Sequence, residues 1–177
     1  MGQGTDMNLL QYAALMVFPG LMIVAALTDA SSFTIPNRLS ALLTLAFIPA
    51  ALLMGRPAGE IGMDFIVALA ALFAGMAMFA LGWIGGGDAK LFAVAGLWLG
   101  WPAAVDFLAV TALAGGGLAV LLLNARSSYV RAHLNGAPGW LARLTTPGEN
   151  VPYGVAIAVG ALAAFPQCGM MQGLHPF

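Results

Sequence analysis

Two aspartates at the ends of apolar segments are the residues of this sequence whose type and spacing could do chemistry. Asp29 closes the first hydrophobic run, and Asp88 directly follows three glycines, Gly85 to Gly87. A carboxylate at a membrane boundary is costly, so it is expected to be either solvated or paired with a second functional group. Two carboxyl groups that share one proton can activate water. The pair therefore predicts an aspartic protease.

The two aspartates are expected at opposite ends of their own helices. Asp29 lies at the C-terminal end of the first helix, on a short loop before Pro36, and Asp88 lies where the fourth helix begins. The helix macrodipole favours an anion at an N-terminus and disfavours one at a C-terminus. Our hypothesis from the sequence is that Asp88 is the base and Asp29 the acid.

The composition predicts a membrane protein. The chain is 61% hydrophobic and only 7% charged, whereas a soluble domain carries about 25% charged residues. A net charge of −1 offers no electrostatic surface for nucleic acid. The single cysteine excludes a disulfide framework within the chain and any site with several cysteine ligands for zinc. We therefore expect no metal and no cofactor.

Hydrophobic runs predict an all-α, polytopic membrane protein with about six transmembrane helices in a single domain, residues 1–177. Crossing a bilayer takes about 20 helical residues, and the fourth run is the weakest because Gly100, Trp101 and Pro102 end it early. The first residues contain no Lys or Arg, so no cleaved leader is expected. The predicted spans are 9–28, 39–54, 64–83, 90–100, 104–123 and 151–166.

The distribution of basic residues predicts the orientation. With the N-terminus outside, the outer loops hold one basic residue, Arg56, and the inner loops hold five. This excess of positive charge inside places Asp29 and Asp88 together on the cytoplasmic side. The five inner residues are Arg38, Lys90, Arg126, Arg131 and Arg143. The remaining acids on the outer side are expected to be solvated loop residues: Asp6, Glu60, Asp64 and Asp106.

Two further features have structural interpretations. The polar connection 125–150, which includes His133 and Trp140, is interpreted as an interfacial segment, and the alternative is a docking surface for a substrate. Gly75, with Ala71 and Phe79, and Gly115 to Gly117 are expected to let helices approach closely. Lys90 is expected to reach the headgroups or an acidic group of a substrate, since it does not share a helix face with Asp88.

The ordered motifs resemble type IV prepilin peptidases, which are membrane aspartic proteases with a Gly-x-Gly-Asp motif. The resemblance rests on Asp29 with Ile35-Pro36-Asn37, on Gly85-Gly86-Gly87-Asp88-Ala89-Lys90-Leu91, and on Pro152-Tyr153-Gly154. It implies that Asp29 and Asp88 are catalytic. The residues that would support them in the motifs are Pro36, Asn37, Gly85, Gly87 and Lys90.

The resemblance also implies a reaction and partners. The reaction is hydrolysis of the peptide bond after a glycine, at the cytoplasmic edge of a prepilin's or pseudopilin's single hydrophobic helix. The implied partners are this substrate, the lipid bilayer and a pilus or type II-like secretion machinery, in the bacterial inner membrane. The chain is similar to the short form of tight-adherence (Flp-type) pili. It contains no paired Cys-x-x-Cys motifs, so we expect no methyl transfer.

Two other function classes fit the same residues. A small proton- or cation-coupled transporter would use intramembrane acids as carriers, and such acids belong near the midplane between broken helices. A non-catalytic pilus assembly factor would keep the helices without the chemistry. Placement discriminates a protease from a transporter, because both acids of this chain are expected at one membrane boundary. The intact pair of aspartates argues against an assembly factor.

Overall fold

The computed structural model describes residues 9–127 and 138–172, and all regular structure within them is helical. The all-α class predicted from the sequence is confirmed. The helices are α1 (Leu9–Ser32), α2 (Asn37–Leu53), α3 (Ala58–Ala80), α4 (Gly86–Leu99), α5 (Ala103–Ala125), α6 (Gly139–Leu144), α7 (Tyr153–Ala164), a 3₁₀ turn (Phe165–Gln167) and α8 (Gly169–Gln172).

Several described helices are long and apolar enough to cross a bilayer. They are α1, α3, α5 and the continuous helical stretch Tyr153–Met171, and α2 is a shorter apolar helix. Their outward faces carry many large hydrophobic side chains, such as Leu45, Phe73 and Leu113. A multi-pass membrane protein accounts for these faces, because lipid is the solvent that they suit.

The short helix α4 is the centre of the bundle. Gly100 ends it with a φ of 61°, a conformation that glycine adopts without strain. From Leu91 to Leu99 every residue of α4 is buried. The sequence suggested a weak fourth span because this run is short. The structure shows a helix that other helices surround.

Small residues bring α3 and α4 into close contact. A side chain at Gly75 would lie 3.1 Å from the Cα atom of Ala89, and one at Gly96 would lie 3.1 Å from the Cβ atom of Ala71. Phe79 covers Gly86 in the first turn of α4. The contacts expected of Gly75, Ala71 and Phe79 are thus confirmed, because the absent side chains let the two backbones approach.

Trp98 fixes α4 against α1 and α2. Its indole N–H donates a hydrogen bond of 3.0 Å to the carbonyl oxygen of Leu43. Its ring stacks on Phe18 with 5.2 Å between centroids and meets the edge of Phe47. A buried Trp needs a partner for its N–H, and α2 provides that partner here.

Two helix boundaries differ from the sequence prediction in ways that matter. α1 continues to Ser32, so Asp29 lies in its last turn and not on a loop. α3 begins at Ala58, which places Asp64 inside a helix. The expectation that Asp64 is a solvated loop residue is wrong, since it is 3% exposed. Asp106 is exposed as expected, and Asp6, Arg131 and His133 lie outside the described residues.

Asp64 is buried because it pairs with Arg56. The guanidinium Nη2 lies 2.8 Å from Oδ2 of Asp64 and 3.6 Å from Oε2 of Glu60, and the side chains of Arg56 and Asp64 are 8% and 5% exposed. The backbone of Gly100 packs against Asp64, and that of Gly169 packs against Arg56. The ion pair therefore joins the α2–α3 turn and α3, and it packs against the C-terminal end of α4 and the start of α8.

Candidate active site

Asp29 is held by a helix that begins far from it in the sequence. It is 4% exposed, and its Oδ2 atom accepts a hydrogen bond of 2.7 Å from the backbone N–H of Gly154. Gly154 lies in the first turn of α7, whose N-terminal end carries a partial positive charge. The carboxyl group thus sits at the C-terminal end of its own helix and at the N-terminal end of another.

Asp88 is held by its own helix. It is 8% exposed and lies in the first turn of α4, where Oδ2 accepts a hydrogen bond of 2.9 Å from the N–H of Gly85. This local contact satisfies one of the N–H groups that a helix start leaves unpaired. A side chain at Gly85 would lie 3.1 Å from Oδ2 of Asp88. A glycine at this position keeps the carboxyl group accessible.

The two acids face each other across shared space. Both line a cavity of about 250 Å³ and a second cavity of about 210 Å³. Gly154 of α7 lies beside this space, since its N–H donates to Asp29. The fold therefore brings together residues 29, 88 and 154, which come from three helices.

The first cavity opens toward the end of α3 and the start of α7. Besides the two acids it is lined by a set that includes Trp83, Ile84, Asn150 and Tyr153. The second cavity opens toward the α1–α2 loop. It is lined by Phe33, Thr34, Ile35 and the glycines 85–87. Asp29, Phe33, Gly85 and Asp88 line both cavities, so the two carboxyl groups belong to the wall that the cavities share.

The supporting residues of the motif fall into two groups. Gly85 contacts Asp88, and Gly87 packs on Ile35, whose Cβ atom would lie 3.2 Å from a side chain at Gly87. Pro36 and Asn37 begin α2, and the side-chain oxygen of Asn37 accepts a hydrogen bond of 2.9 Å from Nζ of Lys90. Lys90 therefore ties α4 to α2, a partner that the sequence did not indicate.

Part of the connection 125–150 forms a wall of the site. Arg126 donates from Nε to the carbonyl oxygen of Leu144 at 3.1 Å and from Nη2 to that of Asn150 at 2.9 Å. The guanidinium of Arg143 lies over the ring of Phe33 at 5.4 Å. The described part of the connection thus packs on protein near the acids, which the interpretation as an interfacial segment did not include.

Sequence reasoning missed the roles of Gly154 and Arg126. Pro152, Tyr153 and Gly154 entered only through the resemblance, without a contact to Asp29. One feature of the sequence could have indicated the role of Gly154. Pro152 marks the start of a helix, and a helix start is a favourable site for an anion such as a carboxylate. The described residues bring no group of three His, Cys, Asp or Glu side chains together.

The sequence of this chain is similar to those of known proteins. The model of the type IV leader peptidase family matches residues 16–120, which is more than half of the chain and includes both aspartates. A prepilin leader peptidase/N-methyltransferase of Bacillus subtilis (strain 168) is 31% identical over 157 residues, which cover 84% of this chain and 53% of that relative. The chain therefore spans about half the length of this curated relative. No solved structure matches the chain.

Proposed function

The chain belongs to the type IV leader peptidase family, and on this basis we propose that it is an aspartic endopeptidase whose catalytic pair is Asp29 and Asp88. The observation that carries the proposal is that both carboxyl groups line the same two cavities, each bonded to the N–H of a glycine at a helix start. Two carboxylates that line the same cavity repel each other when both are ionised, so in this proposal the pair holds one proton.

The pair performs hydrolysis as a unit. The ionised carboxylate takes a proton from water as the water oxygen bonds to the scissile carbonyl carbon, and the protonated carboxyl gives its proton to the carbonyl oxygen. Collapse of this tetrahedral intermediate breaks the C–N bond, and a proton passes to the leaving amine. Asp29 lies at the C-terminal end of α1 and beside the N-terminal end of α7, whereas Asp88 lies at the N-terminal end of its own helix, α4. We assign the acid and base roles to the pair, and Asp88 as the base with Asp29 as the acid stays a prediction.

The substrate in this proposal is a prepilin or pseudopilin of the Flp type, cut at the cytoplasmic face of the inner membrane. The name of the Bacillus relative supports the substrate class, and the excess of basic residues on the loops near the acids supports the face. The alternative of a transporter expects acids at broken helices near the midplane. Asp29 and Asp88 lie instead in the last turn of α1 and the first turn of α4. We do not extend the proposal to methyl transfer.

The experiment uses the purified chain in lipid vesicles, with a substrate made of a short basic leader, a glycine and one apolar helix. We expect cleavage after the glycine, and we expect Asp29→Asn and Asp88→Asn each to slow it by about 10²- to 10⁴-fold, because one carboxyl cannot serve as both acid and base. Asp106→Asn is the matched control, since Asp106 is exposed in the first turn of α5, away from the acid pair. Undiminished turnover by either folded dyad variant would overturn the assignment.

A further inference from the structure

An apolar groove leads away from the acid pair along the side of the bundle. It has a volume of about 280 Å³ and lies between α3 and α5, with residues of α4 and α7 at its floor. Ile84 and Tyr153 line both this groove and the larger cavity of the acid pair. A chain that leaves the acid cavity on this side would therefore enter the groove directly.

Most of the α5 residues that line the groove are small. Ala112, Gly115, Gly116 and Ala119 line it. The sequence predicted that the glycines 115–117 allow helix contact. Among them, Gly115 packs on a neighbouring helix, because a side chain at Gly115 would lie 3.6 Å from the ring of Tyr153. A side chain at Gly116 or Gly117 would have no atom within 4 Å. Small residues let the backbone of another helix approach closely within a membrane.

The groove has the length and chemistry of a helix-binding site. Along α5 its lining runs from Leu108 to Ala119, which at 1.5 Å per residue is about 16 Å, or about three turns. Two of the lining residues, Thr111 and Tyr153, carry a hydroxyl group, and the other lining residues are apolar. Such a surface suits an apolar helix that needs no polar partners.

We propose that this groove, lined on α5 by Ala112, Gly115, Gly116 and Ala119, binds the apolar helix of the substrate on the carboxyl side of the scissile bond. The inference rests on the proposed function, because it takes the acid pair as the place of cleavage. Continuity with the acid cavity favours the substrate helix over a lipid chain, which needs neither that continuity nor a wall of small residues.

A second apolar groove provides a comparison. It has a volume of about 370 Å³, lies between α2, α3 and α4, and ends beside Asn37 and Lys90. It is larger, but it shares no lining residue with either cavity of the acid pair. A substrate helix in this groove would not continue directly from the catalytic carboxyl groups.

The first experiment compares Gly116→Leu with Gly117→Leu. Both sites are exposed on α5 and open to a new side chain, but only Gly116 lines the groove. For the membrane-anchored substrate we expect Gly116→Leu to lower kcat/KM by at least about tenfold, since a Leu side chain occupies the place of the helix. Gly117→Leu should have no comparable effect. The loss with the anchored substrate should exceed, by about tenfold, the loss with a short peptide that lacks the apolar helix.

Three results would overturn the proposal. Equal effects of Gly116→Leu and Gly117→Leu on the anchored substrate would leave the groove without a role. If Gly116→Leu lowers kcat/KM equally for the anchored substrate and the short peptide, the substitution acts on the acid pair and not on binding of the substrate helix. A loss caused by Ala41→Leu, in the second groove, and not by Gly116→Leu would assign the helix to that groove.

The second experiment separates this proposal from the proposed function. In a Cys168→Ala, Asp88→Asn background, Gly116→Cys should form a disulfide with a cysteine in the first three turns of the substrate helix, and Gly117→Cys should not. If the wild-type chain does not cleave but the disulfide forms, the peptidase proposal fails and the groove stands. If cleavage occurs and no disulfide forms, the groove proposal fails, and a lipid chain becomes the occupant of the groove. If neither cleavage nor the disulfide is observed, both the peptidase proposal and the groove proposal fail.

Discussion

The backbone N–H of Gly154 donates a hydrogen bond of 2.7 Å to Oδ2 of Asp29, across 125 residues of sequence. The contact turns an unfavourable position, the C-terminal end of α1, into one where an anion is stabilised by the N-terminal end of α7. It also explains why a glycine occupies position 154. A side chain there would lie 2.8 Å from Oδ2 of Asp29 and 2.8 Å from Cδ1 of Ile35.

Gly154→Ala should therefore impair catalysis more than folding. The added methyl group displaces the carboxyl group of Asp29, and a shift of about 1 Å at a catalytic group can cost about 10²-fold in rate. We expect a loss of about that size in kcat, measured with the membrane-anchored substrate. Gly20→Ala in α1 is the control, because a side chain there meets no atom within 4 Å. Full activity of Gly154→Ala would show that the contact does not position Asp29.

Arg126 should stabilise the wall of the site. Arg126→Gln removes the guanidinium that holds the carbonyl oxygens of Leu144 and Asn150, and hydrogen bonds from charged donors are worth about 1.5–3 kcal/mol each. We expect faster limited proteolysis of the connection 126–150 and slower cleavage of substrate. Arg38→Gln removes an equal charge at an exposed position and serves as the control. Equal proteolysis rates for the two variants would contradict this role.

The buried pair of Arg56 and Asp64 should contribute to stability and not to chemistry. Asp64→Ala leaves the Arg56 charge buried without its closest partner, which costs about 3–5 kcal/mol of the free energy of unfolding. Arg56→Met combined with Asp64→Leu should recover most of the loss. Thermal unfolding in detergent micelles measures the loss of stability in Asp64→Ala and its recovery in the double variant.

The control for this pair is Glu60→Gln. Glu60 is also within 4 Å of Arg56, at 3.6 Å, but its side chain is 58% exposed. An exposed ion pair is worth about 0–1 kcal/mol, so the variant should unfold almost as the wild type does. If Asp64→Ala is as mild as Glu60→Gln, the buried pair does not stabilise the fold.

Cysteine labelling tests the orientation. Thr34 and Leu81 are exposed near the acid pair. Gly59, in the first turn of α3, and Trp101, in the turn between α4 and α5, are exposed at the other end of the bundle. Single cysteines at the first two positions should react with a membrane-impermeant reagent from the cytoplasmic side, and those at the other two from the outer side. The background is Cys168→Ala, because Cys168 is fully buried. If Thr34→Cys and Leu81→Cys are labelled from opposite sides, one shared active site is impossible.

The sequence determined the features that depend on local physics. The high apolar content and the length of the hydrophobic runs require helices, because a backbone in lipid must satisfy its own hydrogen bonds. Asp88 directly after three glycines predicts the start of the fourth helix, and α4 begins close to that point, at Gly86. The identity of the two candidate catalytic acids likewise followed from where Asp29 and Asp88 interrupt apolar sequence.

Only the tertiary structure decided which helix faces meet. α4 from Leu91 to Leu99 and the whole of α7 are apolar on every side, so periodicity in their sequences does not indicate which face packs on which neighbour. For that reason the contact of Gly154 with Asp29, the hydrogen bond of Lys90 to Asn37 and the burial of Asp64 beside Arg56 could not be predicted. Each joins residues of different segments, and only the packing of the whole bundle fixes their separation.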